Sequence, residues 1–487
     1  MTEITITWIL LPLFLGMSSY LLPKLARYLT VIAVVSSLAY GLQAIVSQTP
    51  ITLELLDHFG VILSIDGLSG FFIVTNALVT AAVLAYCWVL PKSGFFYTQL
   101  LILHGSLNAI FISADFVTVY VALETIGIAS FLLIAYSRTE RTIWVSLRYL
   151  FVSSVAMLFY LMGAVLVYQA NHSFSFSGLL NAPLEGIALI FLGLFTKGGL
   201  FISGLWLPLT HAEAETPVSA MLSGAVVKAG IFPLVRLSLM FGELSPMIQL
   251  FGIASAFLGV GYALFESDLK RLLALSTISQ VGFIVASPTV AGFYALSHGL
   301  AKASLFLTVG NLPERQLAKL QATVIPARLW GVLTMAALSI SGFPLLAGYG
   351  AKVWALEQLT GWQSWAMNGA ALGTVVVFAK VIFIPFALGA SQGGPGTKGV
   401  TGGFWIGVLL LLLSLVIANG VYLPAYTLAN LLKTLAVIVG GWGASFFLLR
   451  QFQVQLPRVL EYFQQLIGLI SVILVLLFGG LWAWLAF

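Results

Sequence analysis

Seven side chains that can carry a proton lie inside segments of the chain that are otherwise apolar. An ionised group at the centre of a lipid bilayer costs about 2.5–3.5 kcal/mol on insertion scales, so such residues usually pair or serve a function. Loss of water favours the neutral form of a buried lysine, and a nearby carboxylate favours its charged form. A lysine with a movable acidic partner can therefore bind and release protons. The seven residues are Glu124, Lys197, Lys228, His298, Lys302, Lys352 and Lys380.

Glu124 and Lys197 are the pair that we expect to act as this switch. His298 and Lys302 are four residues apart, so they share one face of a helix. Histidine can also exchange protons near neutral pH. We therefore expect a lateral relay at the mid-plane of the membrane. Its members after the switch pair are Lys228, His298, Lys302 and Lys352.

A packing role is the alternative explanation for a single buried charge, because a lysine can bond to carbonyls that are freed at a helix break. Both explanations stay open for Lys380, which has no evident acidic partner. Arg148 and Lys433 lie near the ends of their segments, and we expect them to extend to the membrane surface. Arg148 and Lys380 are kept as accessory candidates. His104 and His172 are expected to make ordinary polar contacts, and the five histidines show no metal-ligand spacing.

The composition is that of a polytopic helical membrane protein. Of the 487 residues, 60% are hydrophobic and 8% are charged, whereas soluble chains carry roughly 25% charged residues. Long apolar segments satisfy their backbone in lipid as helices, so we predict an all-α polytopic fold. The formal charge of +5 is dispersed between apolar segments and does not indicate a nucleic-acid partner. The single cysteine, Cys87, excludes internal disulfides and a cysteine-ligated cluster.

Sixteen segments are long and apolar enough to cross a bilayer core of about 30 Å. Span 1 lacks a basic leader and is predicted to be a permanent helix. Span 12 contains "GFPLLAGYG", where Pro344 removes a backbone donor and the glycines permit an unwound turn. The predicted spans 1 to 16 are residues 4–22, 26–46, 68–90, 95–113, 115–136, 142–168, 183–206, 216–240, 246–266, 269–287, 289–312, 326–358, 363–388, 403–421, 424–448 and 463–486.

The distribution of Lys and Arg predicts that both termini lie on the non-cytoplasmic side. An excess of these residues marks cytoplasmic loops. Only Arg236, near the end of span 8, lies towards the opposite side, and the other seven basic residues fall within spans. Thirteen of the 21 Lys and Arg residues fall in loops after odd-numbered spans: Lys24, Arg27, Lys92, Arg138, Arg141, Lys270, Arg271, Arg315, Lys319, Arg328, Lys398, Arg450 and Arg458.

The spans group into four predicted parts without a soluble domain between them. Residues 1–94 hold spans 1 to 3, and residues 403–487 hold spans 14 to 16. Residues 95–240 and 246–388 are predicted to be two five-helix repeats with broken spans 7 and 12. A five-helix unit repeated in tandem inverts its topology, and paired broken helices are typical of transporters. The polar segment 389–403 is expected to be a flexible cytoplasmic loop.

Four segments carry a resemblance to a known family. They are "TKGGLFISGLWLPLTHAEAETPVSAMLSGAVVKAGIFPLVRL" (196–237), "DLKRLLALSTISQVGF" (268–283), "SHGLAKASLFL" (297–307) and "GFPLLAGYGAK" (342–352). Together they resemble the antiporter-like proton-translocating membrane subunits shared by complex I and Mrp-type Na+/H+ antiporters. The likeness extends over about spans 3 to 14.

The resemblance implies a fold of two inverted five-helix bundles, spans 4–8 and 9–13, within a core of 14 spans. It implies that spans 15 and 16 are an extension, which could dock a partner subunit. It also implies roles for the buried charges. Glu124 and Lys197 match the family's glutamate and lysine of spans 5 and 7, and Lys228 matches the lysine that connects two half-channels. The positions that match spans 11 and 12, the last facing the exit, are His298, Lys302 and Lys352.

Lys352 makes the chain look more like the Mrp D subunit, because the complex I subunits of the M or D type carry a glutamate there. The histidine motif "THAEAETPVSA" with His211 argues against the N-type subunit. Glu213 and Glu215 depart from the family pattern. They are either an acidic entrance for ions or protons, or two solvated loop carboxylates.

We therefore expect a transporter subunit, not an enzyme by itself, in a bacterial plasma membrane or a thylakoid. We expect it to interact with other membrane subunits, with protons and Na+, and with lipid. The chain has no dinucleotide fingerprint or P-loop in a suitable context and no cluster ligands, so no cofactor is expected. The alternatives are a complex I pump subunit, including a variant for inorganic-carbon uptake, and a scaffold that transports nothing.

Overall fold

The computed structural model describes residues 2–47, 49–56, 60–388, 400–451 and 458–486. Each of the sixteen predicted spans contains helix. In this described part, thirteen helices are long and apolar enough to cross a membrane. The prediction of an all-α polytopic membrane protein is therefore confirmed. Most of the predicted polar loop, 389–399, lies outside the described residues, as do residues 452–457 between spans 15 and 16.

The first eight spans are built from ten α-helices. Spans 7 and 8 each consist of two α-helices joined by a different kind of helical turn. The helices are α1 (Thr2–Leu21), α2 (Ala26–Val46), α3 (Gly67–Cys87), α4 (Gly94–Ile110), α5 (Phe116–Ile134), α6 (Glu140–Asn171), α7 (Leu184–Gly198), α8 (Leu207–Glu213), α9 (Thr216–Met221) and α10 (Val227–Met240).

In the second half each span is one α-helix except span 12, which is divided into two. A further short helix lies in the loop before span 12. The helices are α11 (Ser245–Phe265), α12 (Leu269–Ala286), α13 (Ala291–Val309), α14 (Leu317–Gln321), α15 (Ala327–Ser341), α16 (Ala347–Glu357), α17 (Gly361–Ile382), α18 (Gly402–Ala418), α19 (Leu428–Gln451) and α20 (Phe463–Ala486).

Spans 7 and 12 are interrupted where the sequence allows it. Gly199 follows α7 with φ +66°, and Gly342 follows α15 with φ +84°. Both values are left-handed, which glycine adopts without a Cβ penalty. In span 12, Pro344 has no N–H to continue the helix. The 3₁₀ turn Phe201–Trp206 then joins α7 to α8. These two breaks were predicted.

Span 8 contains a π-helical turn that the sequence did not reveal. Leu222–Val226 widens the helix between α9 and α10. Such turns are rare and often occur at functional sites. Spans 8 and 10 are buried over their whole apolar length, and every residue of α13 is buried. These three spans form the centre of the bundle.

The last two spans pack onto the chain's own core. Helix α19 packs against α17, and α20 packs against α7 and the 3₁₀ turn that follows it. Two small strand pairs were not predicted. Ile51–Glu54 pairs antiparallel with Ile62–Ile65, and Ile325–Pro326 pairs with Phe386–Ala387.

Two basic residues that were assigned to a loop belong to a helix. Lys270 and Arg271 lie in the first turn of α12, and each is 5% exposed. The helix begins at Leu269, where the Asp268 side chain accepts a hydrogen bond from the Arg271 N–H, at 3.1 Å. This N-cap satisfies a backbone donor that the helix itself cannot pair.

Helices α7 and α10 approach each other at a pair of glycines. A Cβ atom on Gly230 would collide with the backbone of Gly198. These glycines lie beside Lys197 and Lys228 in the sequence, so the contact brings together the two helices that carry these lysines.

Replacing Gly230 by alanine should therefore destabilise the protein by about 1–3 kcal/mol, because buried overpacking forces the backbones apart. The matched control is Gly331→Ala in α15, where a Cβ would meet nothing within 4 Å. That variant should gain up to about 1 kcal/mol from helix propensity. Thermal unfolding in detergent measures both, and equal melting temperatures for the two variants would contradict the packing argument.

Glu266 lies between the end of span 9 and the start of span 10, and its carboxylate also binds the segment that precedes span 16. Its carboxylate accepts from the Arg271 Nε at 2.9 Å and from Arg458 at 3.1 Å. Burial opposes its ionisation, but the N–H groups of Ser267 and Asp268 and the Arg271 guanidinium outweigh burial. The pKa of Glu266 therefore lies below its usual value.

This lowered pKa predicts a stability contribution that depends on pH. The contribution is complete above the ordinary glutamate pKa of about 4.3 and declines as the pH falls below it. Glu266→Gln should destabilise the protein at pH 7 by about 1–3 kcal/mol. The melting temperatures of wild type and variant differ at pH 7 and should converge on acidification, whereas Glu243→Gln, at an exposed carboxylate, should stay near wild type. A constant gap across this range would refute the assignment.

Candidate functional site

Glu124 and Lys197 meet between α5 and α7. The Lys197 Nζ lies 3.9 Å from the Glu124 Oε1 and donates a hydrogen bond of 2.9 Å to the Leu123 carbonyl. Lys197 is 6% exposed. The carboxylate is close enough for an ion pair but beyond hydrogen-bond distance. A small movement of either side chain would make or break the contact.

A glycine and two hydroxyls surround this pair. A Cβ on Gly127 would lie 2.9 Å from the Lys197 Nζ, so the absence of a side chain there leaves room for the ammonium. The hydroxyls of Ser130 and Ser153 are buried and both interact with the Tyr149 hydroxyl.

Arg148 does not extend to the membrane surface as predicted. The residue is 3% exposed, and its guanidinium donates a 3.3 Å hydrogen bond to the Trp206 carbonyl. Trp206 ends the 3₁₀ turn that follows the break in span 7. Arg148 therefore binds the interrupted part of span 7, one element away from Lys197.

Lys228 is fully buried at the π turn of span 8. Its Nζ donates to the Ser223 carbonyl at 2.7 Å. Gly299 of α13 faces this ammonium, since a Cβ there would lie 3.5 Å from the Nζ. The Ser223 carbonyl of the π turn and the space beside Gly299 together accommodate the Lys228 ammonium at the centre of the bundle.

His298 and Lys302 lie on α13, as the sequence predicted, and both are buried. Lys302 donates to the Leu273 carbonyl at 2.8 Å and to the Ser276 hydroxyl. Neither ring nitrogen of His298 has a hydrogen-bond partner among the described residues. His298 lies within electrostatic range of Lys228 and Lys302.

Lys352 lies beside the break in span 12. Its Nζ donates to the Ile340 carbonyl at 2.7 Å and lies 5.5 Å from the centre of the Phe283 ring. In a continuous helix the Ile340 carbonyl would accept from residue 344. That residue is Pro344, which has no N–H, so the carbonyl is available for the lysine.

Three polar residues that the sequence analysis missed lie between these positions. The Tyr294 hydroxyl donates to the Gln280 Oε1 at 2.8 Å, and the Gln280 amide donates to the Thr374 hydroxyl at 3.3 Å. Tyr294 is one turn before His298, and Gln280 is one turn before Phe283, which contacts Lys352. The signal was present in "STISQ", a polar run inside an apolar span.

His211 belongs to a cluster at the end of span 7. Its ring is buried against Phe306, with centroids 4.7 Å apart, and lies within electrostatic range of Lys270 and Lys302. Lys270 donates to the Ala214 carbonyl at 2.8 Å. Lys270 is therefore a further buried lysine, at a position that the sequence analysis had placed in a loop.

Glu213 and Glu215 are paired with basic side chains and lie outside the buried row. The buried row consists of Lys197, Lys228, His298, Lys302 and Lys352, with Glu124 beside the first of them. Arg141 binds Glu213 at 3.3 Å, and Lys92 forms an ion pair with Glu215. The carboxylate-bearing side chains are 25% and 26% exposed. These pairs connect the loop after span 7 to the loops after spans 3 and 5, next to His211.

Lys380 and Lys433 lie apart from the row. Lys380 donates to the Leu264 carbonyl in the last turn of α11, which favours the packing explanation. Lys433 is exposed, as expected, and it borders the cavity that Lys352 also lines. His104 makes ordinary contacts with Ser37 and Thr80, at 2.9 Å and 3.0 Å.

Replacing Gln280 by leucine should leave the buried Tyr294 hydroxyl without its acceptor. We expect a loss of about 1–3 kcal/mol in unfolding free energy. Gln316→Leu, at an exposed position, serves as the control and should change stability little. The measurement is thermal unfolding of the purified protein in detergent. Equal stabilities for the two variants would show that the Tyr294–Gln280 bond is not structural.

Comparison with known proteins identifies related membrane subunits. The sequence profile described as "NADH:quinone oxidoreductase/Mrp antiporter, TM" matches residues 113–378. The N subunit of the NADH-quinone oxidoreductase of Desulforudis audaxviator is 28% identical over 437 residues, covering 79% of this chain and 87% of the relative. The D subunit of the Na(+)/H(+) antiporter of Alkalihalophilus pseudofirmus is 27% identical over 392 residues, covering 72% and 80%.

Two solved structures share the fold. A chain of the archaeal membrane-bound sulfane sulfur reductase superposes with a TM-score of 0.76 at 21% identity, covering 90% of this chain and 99% of that chain. A chain of the Mrp complex from Dietzia sp. DQ12-45-1b superposes with a TM-score of 0.70 at 25% identity, covering 97% of this chain and 56% of that chain.

Proposed function

The chain belongs to the NADH:quinone oxidoreductase/Mrp antiporter membrane family, and we propose that it moves protons through the buried row as one subunit of a multisubunit membrane complex. The observation that carries the proposal is the burial of five ionisable residues on packed helices, together with the partly exposed Glu124 that pairs with the first of them. The proposed proton relay consists of Glu124, Lys197, Lys228, His298, Lys302 and Lys352.

Proton movement in this scheme starts at the Glu124–Lys197 pair. While the carboxylate stays near the ammonium, it favours the charged lysine, and when the two separate the lysine tends to release its proton. The distance of 3.9 Å is at the limit of such a pair. Released protons would pass towards Lys228 and then to His298 and Lys302. Lys352 would be the last carrier before the surface.

An Mrp-type Na+/H+ antiporter is the assembly that we favour, with this chain in the position of the D subunit. Support comes from Lys352, which is a lysine as expected for that position, and from the relative named as an antiporter D subunit. Na+ coupling and the other membrane subunits would then complete the exchange. By the distribution of Lys and Arg, the termini would face the non-cytoplasmic side of a bacterial plasma membrane.

A pump subunit of a complex I-like assembly is the second candidate. The relative named as the N subunit of an NADH-quinone oxidoreductase supports it, with 87% of its length covered. The same relay would serve both assemblies, because the driving chemistry resides in the partner subunits. Mass spectrometry of the purified complex separates the two: small Mrp-like membrane proteins favour the first, and quinone-site or hydrophilic-arm subunits favour the second.

Lys228→Ala should abolish proton movement by the whole complex in vesicles. Loss of a positioned proton carrier typically costs about 100-fold or more. Dye-reported pH change after a Na+ pulse measures the rate, and gel filtration checks that the complex still assembles. Lys380→Met is the matched control, since Lys380 is also a largely buried lysine but bonds to the end of α11. It should keep most of the wild-type rate.

Undiminished proton movement with Lys228→Ala in an intact complex would favour the scaffold alternative over the relay. Proton movement that needs an electron donor and a quinone instead of Na+ would support the complex I candidate. Glu124→Gln should also reduce the rate, because the amide cannot hold Lys197 in its charged form.

A further inference from the structure

A cavity of about 100 Å³ leads from Lys352 to side chains of span 15. This volume has room for several water molecules. Lys352 is buried at one end, whereas Glu357 and Lys433 are exposed at the other. The polar side chains that line the cavity include Lys352, Glu357, Asn368, Asn430, Lys433 and Thr434.

The Glu357 carboxylate lies at the opening of this cavity, and side chains from two other parts of the chain form hydrogen bonds with it. The Tyr422 hydroxyl donates to the Glu357 Oε2 at 2.9 Å, and the Asn430 amide donates to the Oε1 at 3.0 Å. Glu357 ends α16, and Asn430 is in the first turn of α19. Lys433 follows Asn430 by three residues and so lies on the same helix face. A carboxylate and an ammonium therefore border one opening.

The order of the spans places the opening of the cavity on the non-cytoplasmic side of the membrane. Residues 358–360 follow span 12 and residues 419–427 precede span 15, so both connections lie on the same side of the membrane. The distribution of Lys and Arg makes that side non-cytoplasmic. The family profile ends at residue 378, so Asn430, Lys433 and Thr434 belong to a part of the chain to which it assigns nothing.

We propose that span 15 is the outer gate of the proton outlet, in which Glu357 receives protons that Lys352 releases into the cavity and Lys433 opposes their return. This inference rests on the proposed function. In the transfer, the Lys352 ammonium gives its proton to water in the cavity and becomes neutral. The Glu357 carboxylate takes that proton from the water and becomes a carboxylic acid, and it then gives the proton to water outside and is a carboxylate again. The fixed positive charge of Lys433 disfavours a second cation at the mouth.

Side-specific cysteine labelling tests whether the cavity is an outlet. Cys87 is the only cysteine and is buried, so a Cys87→Ala background gives a chain without thiols. Thr434→Cys lies in the cavity lining, whereas Leu435→Cys lies next to it at a 41% exposed position outside the lining. An anionic, membrane-impermeant thiosulfonate should label Thr434→Cys from the outside only and should block transport. Leu435→Cys, facing lipid, should stay unlabelled.

Charge substitutions test the gate. Glu357→Gln keeps one of the two acceptor oxygens and removes the charge, and Lys433→Met removes the ammonium. Glu357→Gln should lower the rate of proton release about fivefold or more, a barrier change of about 1 kcal/mol. Lys433→Met should raise the return flow of protons from the outside about fivefold, because the repelling charge is gone. Lys433→Arg should retain the rate. Glu243→Gln, at an exposed carboxylate in the loop after span 8, is the matched control and should match wild type.

The outcomes separate this proposal from the proposed function. Lys352→Ala should be inactive if the relay exists, whatever span 15 does. Wild-type transport by labelled Thr434→Cys or wild-type return flow in Lys433→Met, together with an inactive Lys352→Ala, would overturn the gate and leave the relay standing. Full activity of Lys352→Ala would overturn the relay itself. Failure to label Thr434→Cys from outside would show that the cavity is not the outlet.

Discussion

Each buried lysine of the proposed relay needs a hydrogen-bond acceptor. The protein interior around these lysines offers few acceptors other than backbone carbonyls. The structure solves this with carbonyl oxygens, and each of the four lysines of the proposed relay donates to one. In a regular helix each carbonyl already accepts from the N–H four residues later. Two of the acceptors lie at irregular backbone, and the other two lie inside the regular helices α5 and α12, where the lysine is a second donor to the carbonyl. The acceptors are the carbonyls of Leu123, Ser223, Leu273 and Ile340.

This constraint explains why irregular backbone and charge occur together. The break of span 12 exposes the Ile340 carbonyl to Lys352, and the π turn of span 8 orients the Ser223 carbonyl towards Lys228. Broken helices are tolerated at membrane depth only where protein or water covers them. The central spans 8, 10 and 11 provide that cover. Straightening any of these segments would remove an acceptor from a buried ammonium, so the backbone and the charge depend on each other.

The sequence could predict the parts of this arrangement that have a local signal. Pro344 and its glycines indicate a break, and a lysine within twenty apolar residues is visible without coordinates. Contacts between distant residues have no such signal. Arg148 was expected at the membrane surface, because nothing nearby in sequence indicates that the Trp206 carbonyl, 58 residues later, accepts from it. The π turn "LSGAV" likewise has no distinctive residue, since its widening results from packing.

Two histidines whose rings have no hydrogen-bond partner in the described part of the chain indicate how such a row could conduct. His298 lies near Lys228 and Lys302, and His211 lies near Lys270 and Lys302. Neighbouring cations repel, so full protonation of such a group is unfavourable. A proton that arrives at one member therefore favours release from the next. A neutral histidine between two lysines can accept from one side and donate on the other after rotation or through water. Repulsion would then move charge along the row, while the carbonyl acceptors hold each lysine in its place.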